Sequence, residues 1–139
     1  MEADFKSGKE LLELCQTQYQ PISEIMKLRE CQLEHKNPDE ITEKMKHALE
    51  IMKESSIIPV KNPKKSIGGL IGGEAQLLDK HRAKGKNICG NVLSRAMTYA
   101  VAMLEVNASM GLIVAAPTAG SSGIVLAFHP STQRQMMLP

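Results

Sequence analysis

A long apolar segment that stops at a cluster of small residues constrains this fold most. Residues 92–116 are predominantly apolar and are interrupted by three strongly polar residues, Arg95, Glu105 and Asn107. Asn91 as a starting cap and Gly111 as a closing cap predict a helix over residues 92–110. A helix that is apolar nearly all round is expected at the centre of a protein, covered on several sides. A membrane span is the weaker alternative because charged residues interrupt the segment.

The composition favours a protein built of helices. Aromatic residues make up 3% of the 139-residue chain, tryptophan is absent and methionine occurs nine times. A core of Leu, Ile, Met and Ala suits helix-on-helix packing better than a β-sandwich, which uses β-branched and aromatic residues. The order of elements contains no β-α-β alternation. We therefore predict an all-α, mostly helical fold, forming one domain or part of one.

Local helix signals organise the rest of the chain. Ser7 and Glu10 form a capping-box pattern that predicts a helix over residues 7–15, and Pro21 opens a second helix that runs to about His35. Asn37 caps a third helix, which we expect to end near residues 54–56 because Pro59 and Pro63 exclude a helix interior. A short helix is predicted over residues 74–82. These signals divide the chain into residues 1–56 (N-terminal helices), 57–90 (glycine-rich loop and short helix), 91–124 (buried helix and a small-residue loop) and 125–139 (an atypical tail).

Two segments rich in glycine and hydroxyl residues are candidate anion sites. Residues 68–73 read Gly-Gly-Leu-Ile-Gly-Gly, and residues 117–123 read Pro-Thr-Ala-Gly-Ser-Ser-Gly. Bare backbone allows a ligand to approach closely, and amides can converge on an anion. The first segment matches neither the dinucleotide fingerprint nor the P-loop, and a flexible turn is its more common meaning. The second misses the spacing of a nucleophile elbow by one residue, so a carboxylate site and a close-packed loop have equal weight.

Charge and cysteine usage exclude several classes of protein. The net charge of +2 is too small to indicate a nucleic-acid partner. A basic cluster is either a solvated face or a guide for an anionic substrate, and it comprises Lys80, His81, Arg82, Lys84 and Lys86. The three cysteines contain no Cys-x-x-Cys pair, which predicts reduced thiols in a cytoplasmic protein and no complete metal site. The polar N-terminus has no apolar signal segment.

Together these segments resemble the α subunit of the iron–sulfur-dependent L-serine dehydratases over roughly residues 5–124. The most specific blocks are Glu105-Val106-Asn107-Ala108-Ser109-Met110-Gly111 and Ala116-Pro117-Thr118-Ala119-Gly120-Ser121-Ser122-Gly123. They are accompanied by Ser66-Ile67-Gly68-Gly69-Leu70-Ile71-Gly72-Gly73-Glu74-Ala75. The resemblance implies a helical catalytic domain, a [4Fe–4S] cluster, and conversion of L-serine to pyruvate and ammonia by elimination at an open cluster iron that acts as a Lewis acid.

The resemblance also implies a set of substrate-binding residues and partners. One loop would hold the substrate with Ser66, Gly69, Gly72 and Gly73, and the other with Thr118, Gly120, Ser121 and Ser122, supported by Asn107 and Ser109. The general base is not identified by any of these blocks. A β subunit or β domain of the same enzyme is the expected partner, with a homo-oligomer possible and neither nucleic acid nor membrane involved.

Two departures from the family pattern matter. Gly68 stands where the family usually has a hydroxyl residue, and none of Cys15, Cys31 and Cys89 lies where a cluster ligand is expected. Because cluster iron needs thiolate ligands, we expect the chain to be a truncated N-terminal portion that holds no cluster and is inactive alone. A shifted reading frame after Ile124 can encode Pro-Gly-Ile-Pro, as in the family, so we hypothesise that the tail is out of frame. The alternative function is a non-catalytic helical module that binds a partner subunit through residues 92–110.

Overall fold

The computed structural model describes residues 3–85 and 87–129, so Lys86 of the basic cluster and residues 130–139 of the tail lie outside the described residues. Within these ranges the protein has helices and no strand, which confirms the predicted all-α fold. The helices are α1 (Gly8–Gln18), α2 (Ile22–Glu34), α3 (Pro38–Lys61), α4 (Glu74–Ala83), α5 (Gly90–Ala108) and α6 (Ala119–Phe128). The chain divides into two compact units, residues 1–47 and 48–139.

The first unit begins where the capping signals predicted. The Ser7 side chain accepts from the Glu10 amide at 3.2 Å, and the Glu10 carboxylate accepts from the Lys6 amide at 2.7 Å. The Asn37 side chain accepts from the Glu40 amide at 2.9 Å and so caps α3. Local side-chain hydrogen bonds of this kind satisfy the amides that a helix start leaves without partners.

The apolar side of the first unit is smaller than the periodicity indicates. Ile25 of α2 is fully buried, and the Arg29 guanidinium lies 4.2 Å from the centroid of the Phe5 ring. However, Ile22 and Leu33 are 58% and 62% exposed, and Met45 of α3 is 67% exposed. A stripe of apolar residues along a helix is buried only where another element covers it.

Helix α3 continues through Pro59, contrary to the prediction that it ends near residues 54–56. Pro59 is buried and lies in the last turn, where α3 closes with the Asn62 amide donating to the Ile58 carbonyl at 2.7 Å. A proline this close to a helix end removes one backbone hydrogen bond but leaves the preceding turns intact. Burial of Pro59 and Met52 offsets that loss.

In the second unit, α5 packs against both α4 and α6. A Cβ atom added to Gly123 of α6 would lie 2.4 Å from the carbonyl oxygen of Tyr99, so the two backbones are in close contact. Leu126 and Ala127 of α6 cluster with Ala96, one turn before Tyr99. Since residue numbers rise along α6 as they fall along α5, the helices run antiparallel, and the start of α6 lies toward the C-terminal half of α5.

One side of α5 remains uncovered in the described part of the chain, although we expected cover on several sides. Leu93, Met97 and Leu104 are 50%, 47% and 50% exposed. The ends of α5 also differ from the prediction: Asn91 lies inside the helix, which begins at Gly90, and Ser109 is the closing cap. Asn91 instead accepts from the Arg82 side chain at 3.1 Å, so a longer-range hydrogen bond replaced the capping role. Among the helices of residues 3–85 and 87–129, none combines the length and the hydropathy that a membrane span requires.

Candidate functional site

The first glycine segment is a turn, as the sequence predicted, and Ser66 closes it. The Ser66 amide donates to the Ile71 carbonyl at 2.7 Å, and the Ile71 amide donates back to the Ser66 hydroxyl at 3.2 Å. The Gly69 amide donates to the Ser66 carbonyl at 2.8 Å, with Gly69 at a φ of +71°. The structure therefore places the Ser66 hydroxyl in a hydrogen bond with the turn itself.

Gly72 and Gly73 follow that turn and lead into α4. A Cβ atom on Gly72 would lie 2.3 Å from the Lys64 carbonyl oxygen, so this close approach requires glycine. The Gly72 amide donates to the Glu74 carboxylate at 2.7 Å, and the Gly73 amide donates to Oε2 of Glu105 at 3.1 Å. Both amides that were expected to face a substrate carboxylate thus donate to carboxylates of the chain.

Glu105 joins the glycine turn to α5. Its side chain is 3% exposed, and its second oxygen, Oε1, accepts from the Ala75 amide at 2.7 Å, 30 residues away in the sequence. A carboxylate satisfies the first amides of a helix well, because those amides have no partner within the helix and carry the positive end of its dipole. The backbone amides of Glu74 itself and of Gly72 lower the pKa of the neighbouring Glu74 carboxyl. From sequence, Glu105 was noted as a polar interruption and as part of a family motif, with no role assigned to it; its position inside an apolar helix was the signal of a buried role.

A pocket of about 220 Å³ lies beside this carboxylate, between the second half of α3 and the end of α5. Its walls are largely apolar, and its polar members include Glu105 and Ser109. Of the residues predicted for substrate binding, Ser109 alone lines this pocket, and its hydroxyl donates to the Val106 carbonyl at 3.0 Å. Asn107 is exposed in the last turn of α5.

The second small-residue segment is a helix start and not the loop that we expected. Helix α6 begins at Ala119, so the residues from Gly120 to Ser122 lie in its first turn. The Thr118 hydroxyl accepts from the Ser121 amide at 3.3 Å, and the Ser121 hydroxyl accepts from the Thr118 amide at 3.0 Å. This reciprocal cap, together with the close packing of Gly123 on α5, explains why a segment rich in glycine and serine becomes helical here.

Ser122 is the predicted site residue whose buried hydroxyl makes no hydrogen bond within the described residues. It is fully buried, and its hydroxyl has no hydrogen-bond partner among the residues described. The amides of Ala119 and Gly120, in the same turn, have no acceptor within the helix because they precede the first intrahelical bond. A buried hydroxyl beside the positive end of a helix is suited to an anionic ligand group.

The residues described do not fit an iron–sulfur cluster. Cys15 and Cys31 belong to the first unit and Cys89 to the second, and all three are free thiols. No group of three His, Cys, Asp or Glu side chains in residues 3–85 and 87–129 could hold a metal ion. A [4Fe–4S] cluster with one open iron takes three thiolate ligands in one place, which this donor set does not supply.

The fold is all-helical in the described residues, and comparison with known proteins identifies its family. The family model of the serine dehydratase alpha chain matches residues 17–137, so the chain belongs to that family, as the motifs predicted.

Curated relatives agree with this assignment. The chain is 37% identical over 121 residues to the probable L-serine dehydratase, alpha chain, of Bacillus subtilis, covering 87% of this chain and 40% of that protein. It is 34% identical over 119 residues to the L-serine dehydratase, alpha chain, of Peptoniphilus asaccharolyticus, covering 86% of this chain and 41% of that protein. An L-serine dehydratase of Helicobacter pylori is 36% identical to the chain over 128 residues, covering 88% of this chain and 27% of that protein. The chain thus spans well under half the length of these relatives, and no solved structure matches it.

Proposed function

We propose that this chain binds L-serine as part of an L-serine dehydratase α chain, a lyase that converts L-serine to pyruvate and ammonia. The observation that carries the proposal is Ser122, whose fully buried hydroxyl lacks a partner in the described residues and stands at the start of α6. Leaving a buried hydroxyl unsatisfied costs free energy, and a ligand that pairs with it recovers that cost. The relatives are named as L-serine dehydratases, which supplies the identity of the amino acid.

In this proposal the substrate carboxylate sits at the start of α6. The Ala119 and Gly120 amides and the Ser122 hydroxyl donate to it, while Thr118 and Ser121 hold the first turn in shape through their reciprocal cap. Elimination requires loss of the α-proton and of the β-hydroxyl, which gives aminoacrylate; that intermediate tautomerises and is hydrolysed to pyruvate and ammonia. The part of this chain is to bind and orient the amino acid.

The resemblance implies that the family uses a [4Fe–4S] cluster, which supplies a Lewis acid for departure of the hydroxyl when bound. Since no group of three His, Cys, Asp or Glu side chains in the described ranges could hold a metal ion, we infer that this chain alone forms no cluster and catalyses no dehydration. Another polypeptide, such as a β partner, would supply the thiolate ligands of the cluster. The reduced thiols agree with a cytoplasmic location.

Titration of the isolated chain with L-serine, followed by amide NMR, tests this proposal. Saturable shifts are expected at the first turn of α6, and Ser122→Ala should weaken binding roughly tenfold, the loss of one hydrogen bond to a charged group. Ser94→Ala is the matched control, because the Ser94 hydroxyl already donates to the Gly90 carbonyl at 2.8 Å. Absence of saturable shifts would refute the proposed function. If anaerobic reconstitution gives one cluster per chain, or if the chain produces pyruvate, the inference that the chain alone is inactive is refuted.

A second candidate function is a non-catalytic module that associates with another polypeptide. It is favoured by the exposed apolar side of α5, formed by Leu93, Met97 and Leu104, since uncovered apolar surface of this kind promotes association. Sedimentation velocity separates the candidates: a soluble monomer that binds L-serine supports the first and argues against self-association.

A further inference from the structure

Arg95 is a buried cation that forms no salt bridge within the described part of the chain. It lies in the first half of α5, is 8% exposed, and its Nε atom is enclosed without any acceptor. No salt bridge or hydrogen bond joins its guanidinium to another residue of the described ranges. Arg82 on α4 shows the ordinary arrangement: it pairs with the Asp79 carboxylate at 2.7 Å and donates to the Asn91 side chain at 3.1 Å.

An arginine cannot escape this situation by losing its proton. The guanidinium remains charged at every accessible pH, unlike a buried lysine or histidine, which can become neutral. Burial of the Nε–H donor without an acceptor is unfavourable, and the charge that this group shares raises the cost. The position of Arg95 is therefore best explained by a negatively charged group that comes from outside the described residues.

The surroundings of Arg95 carry an excess of positive charge. Tyr99, one turn along α5, has its pKa raised by burial, with the charges of Arg95 and Arg82 acting to lower it and that of Asp79 acting to raise it. These four side chains thus lie close enough to interact. Lys80, His81 and Arg82 form the basic last turn of α4, so the local field favours an anion.

We propose that Arg95 is the centre of an oxyanion-binding site beside α4, which takes the carboxylate or phosphate group of a small molecule. The planar guanidinium offers paired donors whose geometry matches both groups. The site is distinct from the pocket at Glu105, which lies ten residues further along α5, about 15 Å along the helix axis. It also makes no use of the amides at the start of α6, and it stands independently of the proposed function.

The test is a titration of the full chain with potassium phosphate and with potassium acetate, against potassium chloride at equal ionic strength. The Nε–H resonance of Arg95 should shift saturably with an oxyanion and not with chloride. A response to phosphate alone or to acetate alone supports the proposal and identifies which oxyanion binds. Arg95→Met, which keeps much of the side-chain volume without the charge, should weaken binding at least tenfold, the factor that corresponds to one charge-assisted hydrogen bond.

Lys84→Met is the matched control, because Lys84 is an exposed cation that immediately follows α4. The thermal midpoint should rise more with the oxyanion in wild type and in Lys84→Met than in Arg95→Met. An Arg95 resonance that responds only to ionic strength would overturn the proposal, and this readout uses wild type alone, so it does not depend on the folding of any variant. A thermal midpoint that rises equally in Arg95→Met would also overturn the proposal, because exclusion of the anion from the protein surface, which stabilises all proteins, would then explain the whole rise.

Discussion

Replacement of Glu105 by glutamine should loosen the glycine turn from α5. The Glu105 carboxylate is the acceptor for the Gly73 and Ala75 amides, at 3.1 and 2.7 Å. Glutamine has nearly the same shape, so Glu105→Gln removes the charge and one acceptor without opening a cavity. Its amide oxygen can serve one of the two backbone donors, and its NH₂ group then faces the other donor.

The expected loss follows from these two bonds. A hydrogen bond to a charged group contributes about 1.5–3 kcal/mol, a neutral one about 1 kcal/mol, and a buried donor left without an acceptor costs about 1–3 kcal/mol. Glu105→Gln should therefore lower the free energy of unfolding by about 2–4 kcal/mol, a large part of the roughly 5–15 kcal/mol typical of a domain. Glu54→Gln, which changes an exposed glutamate lining the same pocket, should alter it by less than about 0.5 kcal/mol.

Urea unfolding measures the free energies, and amide hydrogen exchange locates the change. Exchange should accelerate at Gly73 and Ala75 in Glu105→Gln and remain as in wild type in Glu54→Gln. If Glu105→Gln unfolds within about 0.5 kcal/mol of wild type and both amides keep their protection, the carboxylate does not hold the turn and the reasoning fails.

Two further predictions test packing and surface charge. Gly123→Ala should destabilise the chain by about 1–3 kcal/mol, because the new methyl group meets the Tyr99 backbone. Gly120→Ala, which adds a methyl group in open space on the same helix, should be neutral or stabilising. Thermal unfolding measures both variants, and equal midpoints would contradict the close packing of Gly123 on α5. Hydrogen bonds from Lys44 and Lys36 lower the pKa of Glu34 from 4.5 to about 2, so its stabilising contribution is complete above pH 4.5 and is lost as the pH falls through 2. Glu34→Gln should flatten the pH dependence of stability in that window, and a carboxyl NMR titration with a Glu34 midpoint near 4.5 would disprove the interaction.

The sequence was most informative where structure depends on neighbours within one helical turn. The caps at Ser7 and Asn37 and the start of α4 after the glycine turn appear where the local pattern indicated. The all-α class followed from composition and periodicity, and the family followed from two unusual motifs. Capping bonds and helix propensities act between residues three or four apart, so the sequence carries them directly.

Tertiary structure decided the features that depend on distant residues. Pro59 remains inside α3 because its surroundings bury it, and the segment after Thr118 becomes helical because Gly123 packs closely on α5. The functional candidates have the same origin: Glu105 finds its amide donors 30 residues away, and Arg95 stands out only once every neighbour is known to leave it unpaired. Burial and pairing are properties of the folded neighbourhood, and the order of residues along the chain does not specify which distant groups will meet.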